Sequence, residues 1–117
     1  MDIMKFGHRE RRDIQLKKYN KLVRDKIPEI IEQDGRKAFC HVLSDEVYIS
    51  ELDKKLNEEV QEYQKDKNIE EMADVLEVLY AICEARGYSI ADLEAKRKEK
   101  ADSRGGFKDK ILLEYIE

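Results

Sequence analysis

Residues 69 to 86 form the segment that most constrains the fold, because their apolar side chains recur on almost every side of a helix. Gly87 follows this segment and favours a helix end there. A helix that is apolar all round has to be covered by neighbouring helices, so it is predicted to be the central element of a helical protein. The apolar positions are Met72, Ala73, Val75, Leu76, Val78, Leu79, Ile82 and Cys83.

A long helix is predicted directly before this central one. Ser44 is a favourable N-cap, and acidic residues follow it in the first turn. Apolar residues then recur at three- to five-residue intervals on one side as far as about Lys67, and Asn68 separates the two helices. The short connection predicts that the two helices form an antiparallel hairpin.

Two further helices are predicted at the flanks, which gives an all-α fold, an antiparallel bundle of about four helices. A short one at 28–34 begins with a Pro and ends before a Gly, and Ser89 caps a basic one that ends at "RGGF". The β-prone segment 36–43 is either an extended connector or an isolated strand. The apolar residues of the tail, 108–117, are expected to dock on the domain or on a partner subunit.

Length and composition fit one soluble, helix-rich domain. Residues 19–117 carry the helical pattern, and residues 1–18 form a polar, basic arm with no assigned role. Charged residues make up 43% of the 117 positions and hydrophobic residues 41%. Cys40 and Cys83 lack metal-binding or redox spacing and are expected to be reduced core residues of a cytoplasmic protein. No apolar run in the sequence is long enough to span a membrane.

Charge is unevenly distributed along the chain. Residues 58–77 contain eight acids and two bases, whereas residues 96–110 contain seven bases and three acids. This pattern fits a chain that binds a cation and a polyanion together, or simply a solvated charged surface. The acidic centre and a pI near 5.4 argue against a nucleic-acid polymer as the partner.

Four carboxylates are spaced so that the hairpin brings them together. Glu59 and Glu62 are three residues apart and share one face of the first helix. Glu71 and Asp74 are likewise three apart on the next helix. The pairs 62/71 and 59/74 have one common midpoint, between residues 66 and 67. In an antiparallel hairpin that turns there, the members of each pair lie level, and the two levels are about 4.5 Å apart.

Four carboxylates in one small volume repel each other unless a cation balances them. A hard divalent cation does so, and oxygen ligands without His or Cys at zinc-type spacing favour Mg²⁺, with Mn²⁺ as the alternative. A solvated face with Glu at helical spacing is the competing interpretation, but Asp74 lies in an otherwise apolar helix and needs a partner. The spacing therefore predicts a cation site at Glu59, Glu62, Glu71 and Asp74.

Three motifs occur in a fixed order along the chain. "YNKLVRDKIPEII" spans 19–31, "EEVQE" at 58–62 precedes "EMAD" at 71–74, and "RGGF" spans 104–107. The two acidic motifs, "EEVQE" and "EMAD", together resemble the EExxE…ExxD pattern of the MazG-like all-α nucleotide pyrophosphohydrolases. This superfamily includes phosphoribosyl-ATP pyrophosphohydrolase. The motifs at 19–31 and 104–107 resemble the opening and closing motifs of one branch of this superfamily, which consists of predicted house-cleaning enzymes. Only eight residues separate the two acidic motifs, fewer than in many members, so a loop for substrate contacts is minimal.

This resemblance implies Mg²⁺-dependent hydrolysis of a nucleoside triphosphate between its α- and β-phosphates, which releases a nucleoside monophosphate and pyrophosphate. It implies that Glu59, Glu62, Glu71 and Asp74 bind the metal. It gives Glu58, in the same motif, the catalytic role of orienting or deprotonating the attacking water. It also implies a homodimer or homotetramer whose site is completed across the interface.

Phosphoryl transfer depends mainly on positioning and charge neutralisation, so cationic side chains are expected to hold the triphosphate. Lys100 and Arg104 are four residues apart and face the same way on a helix. For each of the candidate cationic residues, the alternative is that it is only a solvated charge on the surface. The candidate substrate-binding residues are Lys21, Arg24, Lys26, Lys100 and Arg104.

Two other functions stay open at the level of the sequence. The first is hydrolysis of phosphoribosyl-ATP in histidine synthesis, which uses the same type of site. The second is a non-catalytic helical binding module whose acidic face meets a basic partner.

Overall fold

The computed structural model describes residues 18–117, which form four α-helices and contain no strand. The predicted all-α class is confirmed, and segment 36–43 is an irregular connector, the first of its two predicted forms. All of the predicted N-terminal arm except Lys18 lies outside the described residues. The helices are α1 (Ile27–Gln33), α2 (Asp45–Asp66), α3 (Ile69–Ala85) and α4 (Ile90–Arg104).

Side-chain caps set the ends of the two central helices. The Ser44 hydroxyl accepts a hydrogen bond from the Val47 N–H at 3.4 Å at the start of α2. Lys67 adopts a left-handed conformation with φ of 52° and ends α2, and the Asn68 side chain accepts a hydrogen bond from the Glu71 N–H at 2.9 Å. The predicted break at Asn68 is therefore a two-residue turn that ends one helix and caps the next.

A capping box fixes the start of α4. The Ser89 N–H donates to the Asp92 carboxylate at 3.0 Å, and the Asp92 N–H donates to the Ser89 hydroxyl, also at 3.0 Å. The hydrogen bond from the Ser89 N–H to the Asp92 carboxylate, and after it the one from the Ser89 hydroxyl, hold the pKa of Asp92 below its ordinary value. Gly87, with φ of 90°, provides the left-handed position in the connection from α3.

Helices α2 and α3 pack against each other as an antiparallel hairpin. At the end opposite the turn, Arg86 pairs with Asp53 at 3.2 Å. Helix α4 contacts α3 and neither of the other helices. The Cys83 thiol donates to the Ser89 carbonyl at 3.2 Å and joins the end of α3 to the start of α4. The buried apolar residues of the described chain are Ile27, Leu52, Val78 and Cys83.

Helix α3 is less covered than its sequence predicts. Met72, Leu76 and Leu79 are 48%, 46% and 39% exposed. Helix α2 covers one side of α3. Helix α4, which contacts only α3, leaves the side with Met72, Leu76 and Leu79 accessible. The prediction of a fully buried central helix is therefore wrong for the single chain.

Two smaller expectations also change. Cys83 is buried as predicted, but Cys40 is exposed in the connector between α1 and α2, where Phe39 and Val42 are exposed as well. The tail does not dock on its own domain, since its large apolar residues are between 70% and 85% exposed. Phe107, the last residue of the closing motif, is 98% exposed as well. Docking on a partner subunit stays a prediction.

The substitution Leu52→Ala tests the hairpin core. Leu52 is 3% exposed, so its truncation removes apolar contacts and leaves a cavity between α2 and its neighbours. We expect the free energy of unfolding, measured by urea denaturation, to fall by about 2–4 kcal/mol. The control Val42→Ala, at a connector residue that is 98% exposed, is expected to change it by less than about 0.5 kcal/mol. Equal effects of the two substitutions would contradict this description of the core.

Candidate functional site

The α2–α3 hairpin brings the predicted carboxylates together near its turn. Oxygen atoms of Glu59, Glu71 and Asp74 all lie within 4.8 Å of one another. A second group, Glu62, Asp66 and Glu71, meets the same distance. The two groups share Glu71, so the four predicted carboxylates form one continuous acidic cluster.

The acidic cluster follows from the packing of α2 on α3. Glu62 approaches Glu71, and Glu59 approaches Asp74, across the two-residue turn. These are the pairs that the common midpoint predicts. Asp66, which is not among the four predicted carboxylates, joins the cluster because it lies one helical turn after Glu62. The spacing of four residues between Glu62 and Asp66 could have identified Asp66 from the sequence.

A lysine that the sequence analysis missed lies within this cluster. The Lys55 Nζ is 3.3 Å from a Glu59 oxygen and 3.7 Å from a Glu58 oxygen, and the Lys55 side chain is 14% exposed. Glu59 is 8% exposed and is the only buried charged residue within the described part of the chain. Lys55 therefore offsets part of the cost of burying the Glu59 carboxylate. Its position three and four residues before the two glutamates could have indicated this pairing.

The segment before α1 crosses the hairpin and contributes two more cations. The Lys21 Nζ donates to a Glu58 oxygen at 2.7 Å, and Arg24 donates to an Asp74 oxygen at 2.6 Å. The structure thus brings Arg24 to the acidic cluster and Lys21 to Glu58 beside it. Both ion pairs link the opening motif to the hairpin, Lys21 to α2 and Arg24 to α3.

Glu58 and Glu59 both contact Lys55, but Glu58 also borders a cavity. This open cavity of about 190 Å³ lies between α2 and the segment that contains Tyr19, Lys21 and Leu22. Burial raises the pKa of Glu58, but the hydrogen bond from Lys21 and the charges of Lys55 and Lys21 together outweigh it, so its pKa lies below the ordinary value of 4.5. Glu58 is therefore an ionised hydrogen-bond acceptor at neutral pH.

The substitution Lys21→Met tests this ion pair through its pH dependence. Because the pKa of Glu58 is lower in the folded than in the unfolded state, its carboxylate stabilises the fold above pH 4.5 and loses that contribution as pH falls through the lower, folded-state pKa. We expect the substitution to lower the free energy of unfolding by about 1 kcal/mol at pH 7 and by less at pH 3. Urea denaturation at both pH values measures this loss in the free energy of unfolding.

The matched control for this prediction is the same lysine substitution in a Glu58→Gln background. With the carboxylate removed, the cost of Lys21→Met is expected to become independent of pH. An equal cost at pH 7 and pH 3 in the unmodified chain would contradict the pairing.

Three predicted substrate-binding residues are not brought to the acidic cluster within one chain. Lys26 is exposed just before α1 and forms no ion pair within residues 18–117. Lys100 and Arg104 lie on α4, whose ion pairs connect only residues of α4 itself. Because α4 contacts α3 but not α2, and the cluster spans both helices, the closing motif does not cover it.

Comparisons with known proteins leave the family of this chain open. No family model matches it, and no solved structure matches it. A stretch of 41 residues, 35% of the chain, is 54% identical to an uncharacterized protein of Mycolicibacterium smegmatis. The match covers 42% of that protein, less than half of its length. The comparisons name no activity, so the function has to be argued from the cluster and its surroundings.

Proposed function

We propose that this protein is a Mg²⁺-dependent nucleoside triphosphate pyrophosphohydrolase, with a house-cleaning role in the nucleotide pool. The observation that carries the proposal is the convergence of Glu59, Glu62, Glu71 and Asp74 on one hairpin. The three ordered motifs that resemble MazG-like enzymes give this convergence its chemical interpretation. The proposal includes the homodimer or homotetramer and the cytoplasmic location predicted from the sequence.

The donor set supports a hard divalent cation. Two ligands on opposite sides of a Mg²⁺ ion at about 2.1 Å lie about 4.2 Å apart. Within each of the two groups of three residues, the carboxylate oxygens lie within 4.8 Å of one another, close to that separation. When bound, the ion would neutralise phosphate charge and polarise the scissile bond. The residues that would hold it are Glu59, Glu62, Glu71 and Asp74.

The low pKa of Glu58 favours one of its two predicted roles. A general base is most efficient when its pKa lies near the operating pH, and the pKa of Glu58 lies well below neutrality. We therefore assign Glu58 to orienting the attacking water as a hydrogen-bond acceptor, in preference to removing its proton. The Lys21 ammonium, 2.7 Å from Glu58, holds that carboxylate in place.

The cations around the cluster give the proposed site its phosphate-binding groups. Lys21 and Arg24 already lie at its edge, and Arg24 is 56% exposed, so its guanidinium can exchange Asp74 for a phosphate oxygen. Lys26 lies two residues further along the same motif. We propose that Lys100 and Arg104 act at the cluster of a second copy, because α4 does not reach the cluster of its own chain.

A panel assay tests the proposed function against its two alternatives. The substrates are common and modified nucleoside triphosphates and phosphoribosyl-ATP, each with Mg²⁺, and the readout is pyrophosphate release. We expect release from at least one triphosphate. Turnover of phosphoribosyl-ATP alone would favour the histidine-synthesis enzyme. Hydrolysis of nothing in the panel would favour a non-catalytic binding module, in which the ion pairs of the cluster are purely structural.

Among residues 18–117, no helix is both long enough and apolar enough to span a bilayer. The longest, α2, is 22 residues long but carries charges along its whole length.

A further inference from the structure

The tail (residues 108–117) leaves the domain with its apolar side chains uncovered. It follows α4 without forming a helix or strand. Five of its residues are large and apolar, and each is at least 70% exposed. Together they expose on the order of 800 Å², the area that each partner contributes to a standard protein–protein interface. They are Ile111, Leu112, Leu113, Tyr115 and Ile116.

A second uncovered apolar surface runs along α3. Ile69, Met72, Leu76 and Leu79 follow one another at intervals of three, four and three residues, so they share one face of the helix. They are 76%, 48%, 46% and 39% exposed, in that order. This surface, the α3 stripe, lies apart from the side that packs on α2, where Val78 is buried. Such a contiguous apolar surface marks an interaction site.

The tail does not meet the α3 stripe of its own chain. Helix α4 is 15 residues long, which corresponds to about 22 Å, and among the described helices it contacts only α3. The stripe residues are between 39% and 76% exposed, so the tail does not cover them in the single chain. The tail that follows α4 keeps its apolar residues exposed.

The charges around the two surfaces are complementary. Outside the cluster, α3 carries three exposed acids, Glu70, Glu77 and Glu84, and no base, so the stripe is bordered by negative charge. The segment 104–110, which leads from the end of α4 into the tail, carries Arg104, Lys108 and Lys110 against Asp109. A tail that lies on an α3 stripe therefore brings a basic segment towards an acidic helix, which favours this docking over one against another basic surface.

We infer that the tail of each chain docks on the α3 stripe of a second copy. The exchange is reciprocal, so both copies contribute a tail and a stripe and the interface has twofold symmetry. The inference rests on the oligomer included in the proposed function and is independent of the proposed hydrolysis. It goes beyond that oligomer by naming the two surfaces that form it.

Substitutions in the full chain test the role of the tail. Leu112→Glu and Ile116→Glu place charges on exposed apolar positions, which the single chain tolerates. The control is Val42→Glu, the same type of change at a connector residue that is 98% exposed. Light scattering after size exclusion is expected to give at least twice the 13.9 kDa of one chain for the unmodified protein and the control. We expect 13.9 kDa for the two tail variants, with unchanged helical circular dichroism.

A cross-linking experiment tests the location of the contact. In a Cys40→Ser background, chains with Leu76→Cys are mixed with differently tagged chains with Leu112→Cys, and a disulfide between unlike chains is expected under mild oxidation. The control pair replaces Leu112→Cys by Val42→Cys and is expected to give at least tenfold less product.

Each outcome decides the inference separately from the proposed hydrolysis. A monomeric unmodified chain overturns it, as does an oligomer that the tail variants leave intact. Monomeric tail variants without the specific cross-link overturn the placement on the α3 stripe. Pyrophosphate release, measured on the unmodified chain, decides the enzymatic proposal whatever the oligomeric result.

Discussion

Replacing Glu71 by Gln or Asp74 by Asn is expected to lower the rate of pyrophosphate release by about 10²–10³-fold. Each substitution removes one negative charge from the acidic cluster while keeping the size of the side chain. Glu71 belongs to both carboxylate groups, so its loss affects the whole cluster. The measurement is the steady-state rate with saturating Mg²⁺ and the best substrate of the panel.

The chain offers a matched control for each of these two substitutions. Glu70 and Glu77 are exposed residues of the same helix that lie outside the carboxylate groups. Glu70→Gln and Glu77→Gln are expected to change the rate by less than about twofold, because they remove the same charge without touching the cluster. If all four variants lost activity equally, general charge on α3 and not the cluster would be responsible. Active Glu71→Gln or Asp74→Asn variants would contradict the site assignment.

Mg²⁺ is expected to stabilise the folded chain strongly even without substrate. At a concentration one hundred times its dissociation constant, a ligand that binds only the folded state contributes about 2.7 kcal/mol. For a chain of this length, that corresponds to a rise in melting temperature of roughly 10 °C. Differential scanning fluorimetry with NaCl at matched ionic strength separates specific binding from screening of the acidic charges.

Variants of the cluster decide where that stabilisation originates. Glu59→Gln is expected to remove most of the Mg²⁺ effect, because Glu59 is the most buried carboxylate of the cluster. Glu70→Gln is expected to keep it. A melting temperature that does not respond to Mg²⁺ or Mn²⁺, with or without nucleotide, would contradict the presence of a cation site.

The local structure was predictable because its determinants are local. Ser44 and Ser89 cap the helices that the sequence assigns to them, and Asn68, predicted only as the break between two helices, caps the second one. Each bonds to the residue three positions ahead. The juxtaposition of Glu62 with Glu71 also followed from local features, since a short turn and the helical rise fix which positions lie level.

Long-range packing was not predictable in the same way. The apolar pattern of α3 shows that the helix needs partners but not whether they belong to the same chain, and the exposed Leu76 and Leu79 show that one side lacks them here. The direction of α4 is similarly undetermined, because it depends on the few contacts that α4 makes with α3. For this reason the prediction that Lys100 and Arg104 share the site could not be assigned to one chain or two.

The ion pairs of the opening motif lie between these two cases. Lys21 and Arg24 were identified as candidates by their charge and motif, but their partners Glu58 and Asp74 lie 37 and 50 residues away in the chain. Only the path of the segment across the hairpin determines those contacts. Their presence gives the acidic cluster an internal balance of charge that residue spacing alone did not indicate.

The identity of the reaction products tests the central claim most directly. We would follow hydrolysis of the best triphosphate substrate by ³¹P NMR in the presence of Mg²⁺, with Glu71→Gln as the inactive reference. Cleavage between the α- and β-phosphates predicts equal amounts of nucleoside monophosphate and pyrophosphate, and no product when Mg²⁺ is chelated. Formation of nucleoside diphosphate and inorganic phosphate, or turnover that persists in the chelator, would contradict the account.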